Sequence, residues 1–187
     1  FKNKMFTKNS IIGIVGSGAM GSGIAQVAAT AGHKTIVYDT NAAALEKAKT
    51  NLTNSLNKLV EKQKITEDKA QSILSLTSYS NSIQDFKSCD LIIEAIVERL
   101  AIKQQFFNDV AAVNSAETIL ATNTSSIPVT QIAANVPNPK RFLGVHFFNP
   151  APIMKLVEII SGVETDAAIA NQCKQLIEGM GKTCVMA

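Results

Sequence analysis

The run S-I-I-G-I-V-G-S-G-A-M-G-S-G, Ser10 to Gly23, joins a short apolar strand to a glycine-punctuated turn that opens into a helix. Gly16 can supply the backbone angle of the tight turn, Gly18 lets the main chain approach a pyrophosphate, and Gly21 lets the helix lie close against the strand. Phosphates at such a helix start meet unpaired N–H groups and the positive end of the helix dipole. The spacing therefore predicts a βαβ unit that binds a dinucleotide.

The flanking residues support that setting. Ile11, Ile12, Ile14 and Val15 read as a strand buried on both faces, and Ile24 to Ala31 as a small-residue helix with Gly32 as its C-cap. A second apolar strand, Thr35 to Tyr38, ends in Asp39, about twenty residues past the glycines, where a carboxylate can accept hydrogen bonds from adenosine ribose hydroxyls. No arginine adjoins Asp39, and Thr40 and Asn41 offer no cation, so NAD is favoured over NADP. The plainer alternative is a structural glycine turn whose acidic residue caps the next helix.

Further along, apolar positions Leu45, Ala48, Leu52, Leu56 and Leu59 have helical spacing and predict a long helix from Ala42 to Lys62. A shorter helix, Glu67 to Leu74, leads to a strand at Leu76 to Tyr79 and a polar loop at Ser80 to Ser82. Strands follow at Asp90 to Val97, Thr118 to Ala121, Phe142 to Phe147, Leu156 to Ile160 and Thr183 to Met186, with helices at Leu100 to Val113, Val129 to Val136 and Ala167 to Met180. This alternation predicts an α/β fold, a mostly parallel sheet covered on both faces. Ligands of such sheets bind beyond the carboxyl ends of the strands, which directs attention to Glu98, Asn123, Thr124, Ser125, His146 and Asn149.

Composition excludes several classes. The 187-residue chain is 46% apolar, enough for a sizeable core, and no apolar run is long enough to span a bilayer. A net charge of +3 with acids and lysines interleaved gives no nucleic-acid footprint. Cys89, Cys173 and Cys184 have neither metal-ligand nor redox-pair spacing and read as reduced packing residues of a cytoplasmic protein. Phe1 to Asn9 lacks the apolar core of a secretory signal and reads as a flexible extension ahead of a single domain at 10–187.

Of the two histidines, His33 follows Gly32 as a turn residue, whereas His146 ends an apolar strand just before Asn149 and Pro150. Glu158 lies in the apolar strand K-L-V-E-I-I and should not be buried unpaired. The two invite each other, as a catalytic pair or as a structural tie between strands. Lys47, Lys49, Lys58, Lys62, Lys64 and Lys69 crowd the long helix and its successor, which by itself reads as a solvated face.

Four stretches now carry a family resemblance: G-S-G-A-M-G-S-G-I-A-Q-V-A-A at Gly16 to Ala29, L-I-I-E-A-I-V-E at Leu91 to Glu98, A-T-N-T-S-S at Ala121 to Ser126, and H-F-F-N-P-A-P-I-M-K-L-V-E at His146 to Glu158. In this order they resemble the N-terminal domain of the L-3-hydroxyacyl-CoA dehydrogenases from about Ile11 onward. The resemblance implies a Rossmann-type doubly wound sheet that binds NAD through Gly16, Gly18, Ala19, Met20, Gly21 and Asp39, with Glu98, Lys103, Ser125 and Asn149 at the nicotinamide end. It further implies His146 as general base for the substrate 3-hydroxyl, Glu158 as its orienting carboxylate and Ser125 on the reacting oxygen. Ser55 and Lys62 fall where the family meets coenzyme A, giving the lysine-rich face a function. No metal is implied.

Thr122 departs from the serine common before the Asn-Thr-Ser-Ser run. The family's helical second domain, which carries homodimer contacts and a catalytic asparagine, is absent from the chain, so weak independent turnover is expected. Two competing readings stay open: a domain that binds NAD without catalysis, and a relative acting on a free hydroxy acid, for which the lysines near Ser55 would have no use.

Overall fold

The computed structural model describes residues 5–187. Its strands are β1 (Ile12–Val15), β2 (Thr35–Tyr38), β3 (Thr77–Ser80), β4 (Leu91–Glu94), β5 (Ile119–Thr122), β6 (Phe142–Phe147), β7 (Leu156–Ser161) and β8 (Thr183–Met186). The helices are α1 (Ala19–Thr30), α2 (Ala42–Glu61), α3 (Glu67–Leu76), α4 (Leu100–Ala111), α5 (Val129–Ala133) and α6 (Ala167–Glu178). The strands form one sheet ordered β3-β2-β1-β4-β5-β6-β7-β8. Neighbours run parallel except β6 and β7, which are antiparallel. This is a Rossmann-type doubly wound sheet. Strand order reverses between β1 and β4, and that switch point opens a crevice at their carboxyl ends.

The apolar run of β1 is continuous because both of its faces are covered. Ile12 and Ile14 enter a layer with Ile24, Val27, Ile169 and Ile177. Val15 enters the opposite layer with Ile92, Phe107, Val110 and Ile132. The α2–α3 pair packs outside α1 through Leu52, Leu56, Ala70 and Ile73 around Ala29, so apolar spacing on α2 is absorbed by a helix rather than by the sheet.

Several boundaries move for identifiable reasons. Helix α1 begins at Ala19, well before Ile24, because Gly18 is its extended N-cap (φ −69°, ψ −170°) and Gly21 and Gly23 lie buried inside it. Interior glycines cost helix stability, but a Cβ on Gly21 would stand 1.8 Å from the Gly16 carbonyl oxygen. The C-cap is Ala31, not Gly32; Gly32 follows with φ +96° as the left-handed residue beyond the helix. Strand β4 stops at Glu94 rather than Val97, since the Glu94 carboxylate captures the Ile96 N–H at 2.7 Å and turns the chain out of the sheet. A 3₁₀ turn at Ile83–Ser88, not anticipated, seats the fully buried Phe86 against Gly13, where a Cβ would come within 2.9 Å of the ring.

Of the extension expected at Phe1 to Asn9, residues 1–4 lie outside the described residues. Phe6 packs against the core, and the Thr7 N–H donates to Ser10 Oγ at 2.8 Å. None of the described helices is long and apolar enough to cross a membrane.

Candidate active site

The turn after β1 has the geometry its glycines require. Gly16 has φ +100°, its N–H donates to the Tyr38 carbonyl at 2.8 Å, and a Cβ there would lie 2.7 Å from the Ala95 carbonyl oxygen. At Gly18 a Cβ would meet nothing within 4 Å. No side chain caps α1, so its first turn, starting at Ala19, opens onto a cleft of about 700 Å³ lined by Gly16, Ser17, Gly18, Asp39, Ile96 and Phe106.

Asp39 stands at the end of β2 in that cleft. Its Oδ2 accepts both the Ser17 N–H (3.0 Å) and the Ser17 hydroxyl (2.7 Å), and its Oδ1 accepts the Asn41 N–H (3.0 Å). Burial alone would push this carboxyl up, but the hydrogen bonds from Asn41, Ser17 and Thr40 outweigh it and hold the group below its ordinary value. Asp39 is thus an ionised acceptor next to the glycine turn. These residues fit a dinucleotide: backbone N–H groups and an open Gly18 for the phosphates, a fixed carboxylate for ribose hydroxyls.

A second cavity of about 280 Å³ continues from the first, sharing Ala95 and Ile96 as a common wall. It is lined by Met20, Glu98, Lys103, Ser125, His146 and Asn149, which come from the starts of α1 and α4 and the ends of β4, β5 and β6. His146 Nδ1 lies 2.9 Å from Glu158 Oε2. The two are register partners of the antiparallel β6–β7 pair, so the contact follows from strand pairing itself. Phe148 packs on the imidazole with ring centroids 4.6 Å apart.

The model for the 3-hydroxyacyl-CoA dehydrogenase NAD binding domain matches residues 11–187. The chain belongs to this family. It is 43% identical over 171 residues to a probable 3-hydroxybutyryl-CoA dehydrogenase of Deinococcus radiodurans, covering 91% of this chain and 61% of the relative. It is equally 43% identical to the 3-hydroxyadipyl-CoA dehydrogenase of Escherichia coli, with 91% and 36% covered. The crystal structure of an Escherichia coli 3-hydroxybutyryl-CoA dehydrogenase superposes with TM-score 0.94 at 42% identity, covering 95% of this chain and 38% of that one. The chain therefore spans between about a third and two thirds of the length of these relatives.

Within the frame of a 3-hydroxyacyl-CoA dehydrogenase NAD binding domain, NAD is the cofactor. Lys103, read from the motif as a cofactor contact, is almost wholly buried with Nζ 2.5 Å from Glu94 Oε1. Glu94 was not singled out from sequence; its only signal was a carboxylate inside the apolar run L-I-I-E. Ser17 was missed likewise, as an unremarked position between two glycines. Ser55 lines a separate groove of about 540 Å³ together with Lys58, Pro150, Pro152, Lys155 and Lys182. Lys62 is the C-cap of α2, exposed and outside the groove lining.

Proposed function

We propose that the chain is the cofactor-binding part of an NAD-dependent dehydrogenase that interconverts (S)-3-hydroxyacyl-CoA and 3-oxoacyl-CoA, as the names of its relatives denote for those proteins. The observation that carries this reading is the hydrogen-bonded His146–Glu158 pair opening into the cavity that also holds Ser125 and continues into the glycine-turn cleft. NAD, when bound, supplies the acceptor for the hydride that leaves C3. Gly16, Gly18, Ala19, Met20, Gly21 and Asp39 bind and orient it, and Glu98, Lys103 and Asn149 bound its nicotinamide end.

With Nδ1 bonded to Glu158, His146 has Nε2 left to take the proton of the 3-hydroxyl as the C3–H bond breaks, and to return it in the reverse direction. Glu158 holds the ring orientation and stabilises the imidazolium, as the carboxylate of a hydrolase triad does. The Ser125 hydroxyl donates to the reacting oxygen. Ser55, Lys58 and Lys155 offer polar and positive groups to a coenzyme A moiety along a groove that starts at Pro150, next to Asn149. That groove favours a thioester of coenzyme A over a free hydroxy acid. The reading places the protein in the cytoplasm, with no nucleic-acid or membrane partner, and its longer relatives' form as a homodimer.

The test is NADH oxidation driven by acetoacetyl-CoA, followed at 340 nm, with acetoacetate as the comparison. Turnover with the thioester alone supports the reading; equal turnover with the free acid overturns the coenzyme A assignment.

A further inference from the structure

Beneath the catalytic cavity, five residues form a circuit of hydrogen bonds, closed by one ion pair, that joins two loops. Glu94, fully buried at the end of β4, accepts from Lys103 Nζ at 2.5 Å through Oε1 and from Thr122 Oγ1 at 2.8 Å through Oε2. Thr122 Oγ1 in turn accepts the Thr124 N–H at 3.2 Å, and Thr124 Oγ1 donates to Glu98 Oε2 at 2.7 Å. Glu98 Oε1 lies 3.9 Å from Lys103 Nζ, which completes the circuit.

The backbone follows the same hub. The Ile96 N–H is bound by the Glu94 carboxylate and the Asn123 N–H by the Glu94 carbonyl, at 2.7 and 2.8 Å. Asn123 Oδ1 accepts the N–H of Phe147, the residue after His146, at 2.8 Å. The segments leaving β4 and β5 are thus tied to the Glu94 carboxylate, and the segment leaving β6 reaches the Glu94 main-chain carbonyl through Asn123. Glu98 rides on the first, Ser125 on the second, and His146 sits at the third.

We propose that Glu94 is a positioning residue of the dehydrogenase: through Lys103 and Thr122 it fixes Glu98 and the Thr124–Ser125 turn where they meet the bound dinucleotide. The inference rests on the function proposed above. A buried ammonium such as Lys103 is retained only with a charged partner, and charge-assisted hydrogen bonds are both shorter and stronger in a low-dielectric interior. Volume alone cannot replace the carboxylate. An amide at this position keeps the shape, and with its oxygen toward Lys103 and Ile96 its NH₂ can donate to Thr122 Oγ1, but it removes the negative charge that pairs the buried Lys103 ammonium.

The experiment compares wild type, Glu94→Gln, Thr122→Val and Phe107→Leu. Phe107 is buried in the same layer but takes no part in the ring, so Phe107→Leu reports what general destabilisation does. NADH affinity is measured by calorimetry at a temperature where each protein is folded, and amide hydrogen exchange is read at Ile96 and Thr124. Glu94→Gln should weaken NADH binding at least about tenfold, the scale of a lost charge-assisted hydrogen bond, and speed exchange at both amides, while Phe107→Leu leaves affinity and exchange near wild type. Wild-type affinity in folded Glu94→Gln, or an equal loss in Phe107→Leu, overturns the proposal. If Glu94→Gln does not fold, Thr122→Val decides: a loss of about threefold or more supports the ring, and wild-type affinity overturns it. Failure of the wild type to bind NADH would reject the proposed function itself, and exchange at Ile96 and Thr124 would then decide whether Glu94 fixes both loops.

Discussion

His146 and Glu158 face each other across the antiparallel β6–β7 pair, Nδ1 to Oε2 at 2.9 Å, with the ring 16% and the carboxylate 35% exposed. The pair to which the proposed function gives proton transfer is therefore held by main-chain register, not by flexible loops. In a chain extended by the family's helical second domain, His146→Gln should lower kcat for acetoacetyl-CoA reduction at least about a hundredfold, the usual scale of a general acid–base group, and leave the NADH dissociation constant unchanged. Steady-state kinetics paired with calorimetry checks both halves; near-normal turnover would reduce the histidine to strand-end packing.

Glu158→Gln should retain NADH binding and fold but lose kcat by about ten- to a thousandfold, because the amide keeps the shape while giving up the charge that stabilises the imidazolium. The check is kcat against KM. A rise confined to KM would assign Glu158 to substrate binding instead.

Under the proposed function, Asp39 selects which cofactor fits. Asp39→Ala should weaken NADH binding by about 1 to 3 kcal/mol, the cost of losing hydrogen bonds to a charged group, and remove the preference against NADPH. Equal calorimetric affinities for NADH and NADPH in the wild type would refute the assignment.

The same carboxyl sets a pH dependence. Its folded value lies below its ordinary 3.8 because bonds from Asn41, Ser17 and Thr40 exceed the opposing effect of burial. A depressed folded value means that the stabilisation is complete above the unfolded value of about 3.9 and is lost as pH falls through the folded one. The stability difference between wild type and Asp39→Asn, from urea unfolding, should be constant above about pH 5 and shrink below about pH 4. A difference that grew on acidification would contradict the sign.

Burial pushes the Cys89 and Cys173 thiols up to about 12 and Cys184 to about 11. The thiolate is the reactive form, so iodoacetamide at pH 8 should leave the native protein unlabelled and modify all three cysteines once it is unfolded. Mass spectrometry of both samples reads the outcome. Rapid labelling of Cys173 in the native state would contradict its full burial.

Gly21 is the tightest point of the cofactor turn. Its replacement by Ala places a Cβ 1.8 Å from a backbone oxygen, which no rotamer can relieve, so α1 must move off β1. The expected cost is about 1 to 3 kcal/mol in unfolding free energy, with NADH affinity falling at the same time. By contrast Gly32→Ala should affect stability through its positive φ alone, since a Cβ there meets no neighbour.

The amino-acid sequence by itself determined what depends on neighbours along the chain: the strand–turn–helix around Gly16 to Gly21, the carboxylate at Asp39, each of the eight strands among the described residues and the alternation that makes the sheet doubly wound. Backbone angles, capping and apolar period are local properties, so they can be read residue by residue. The motifs also named the residues that gather in the second cavity, among them Met20, Ser125, His146 and Asn149. Tertiary structure alone decided the distances. Register between β6 and β7 brought His146 to Glu158, the return of β2 beside β1 put Ser17 on Asp39, and the packing of α4 buried Lys103 against Glu94. Those contacts join residues from 9 to 22 positions apart, and their geometry is fixed by how strands pair and helices dock, which no local pattern records.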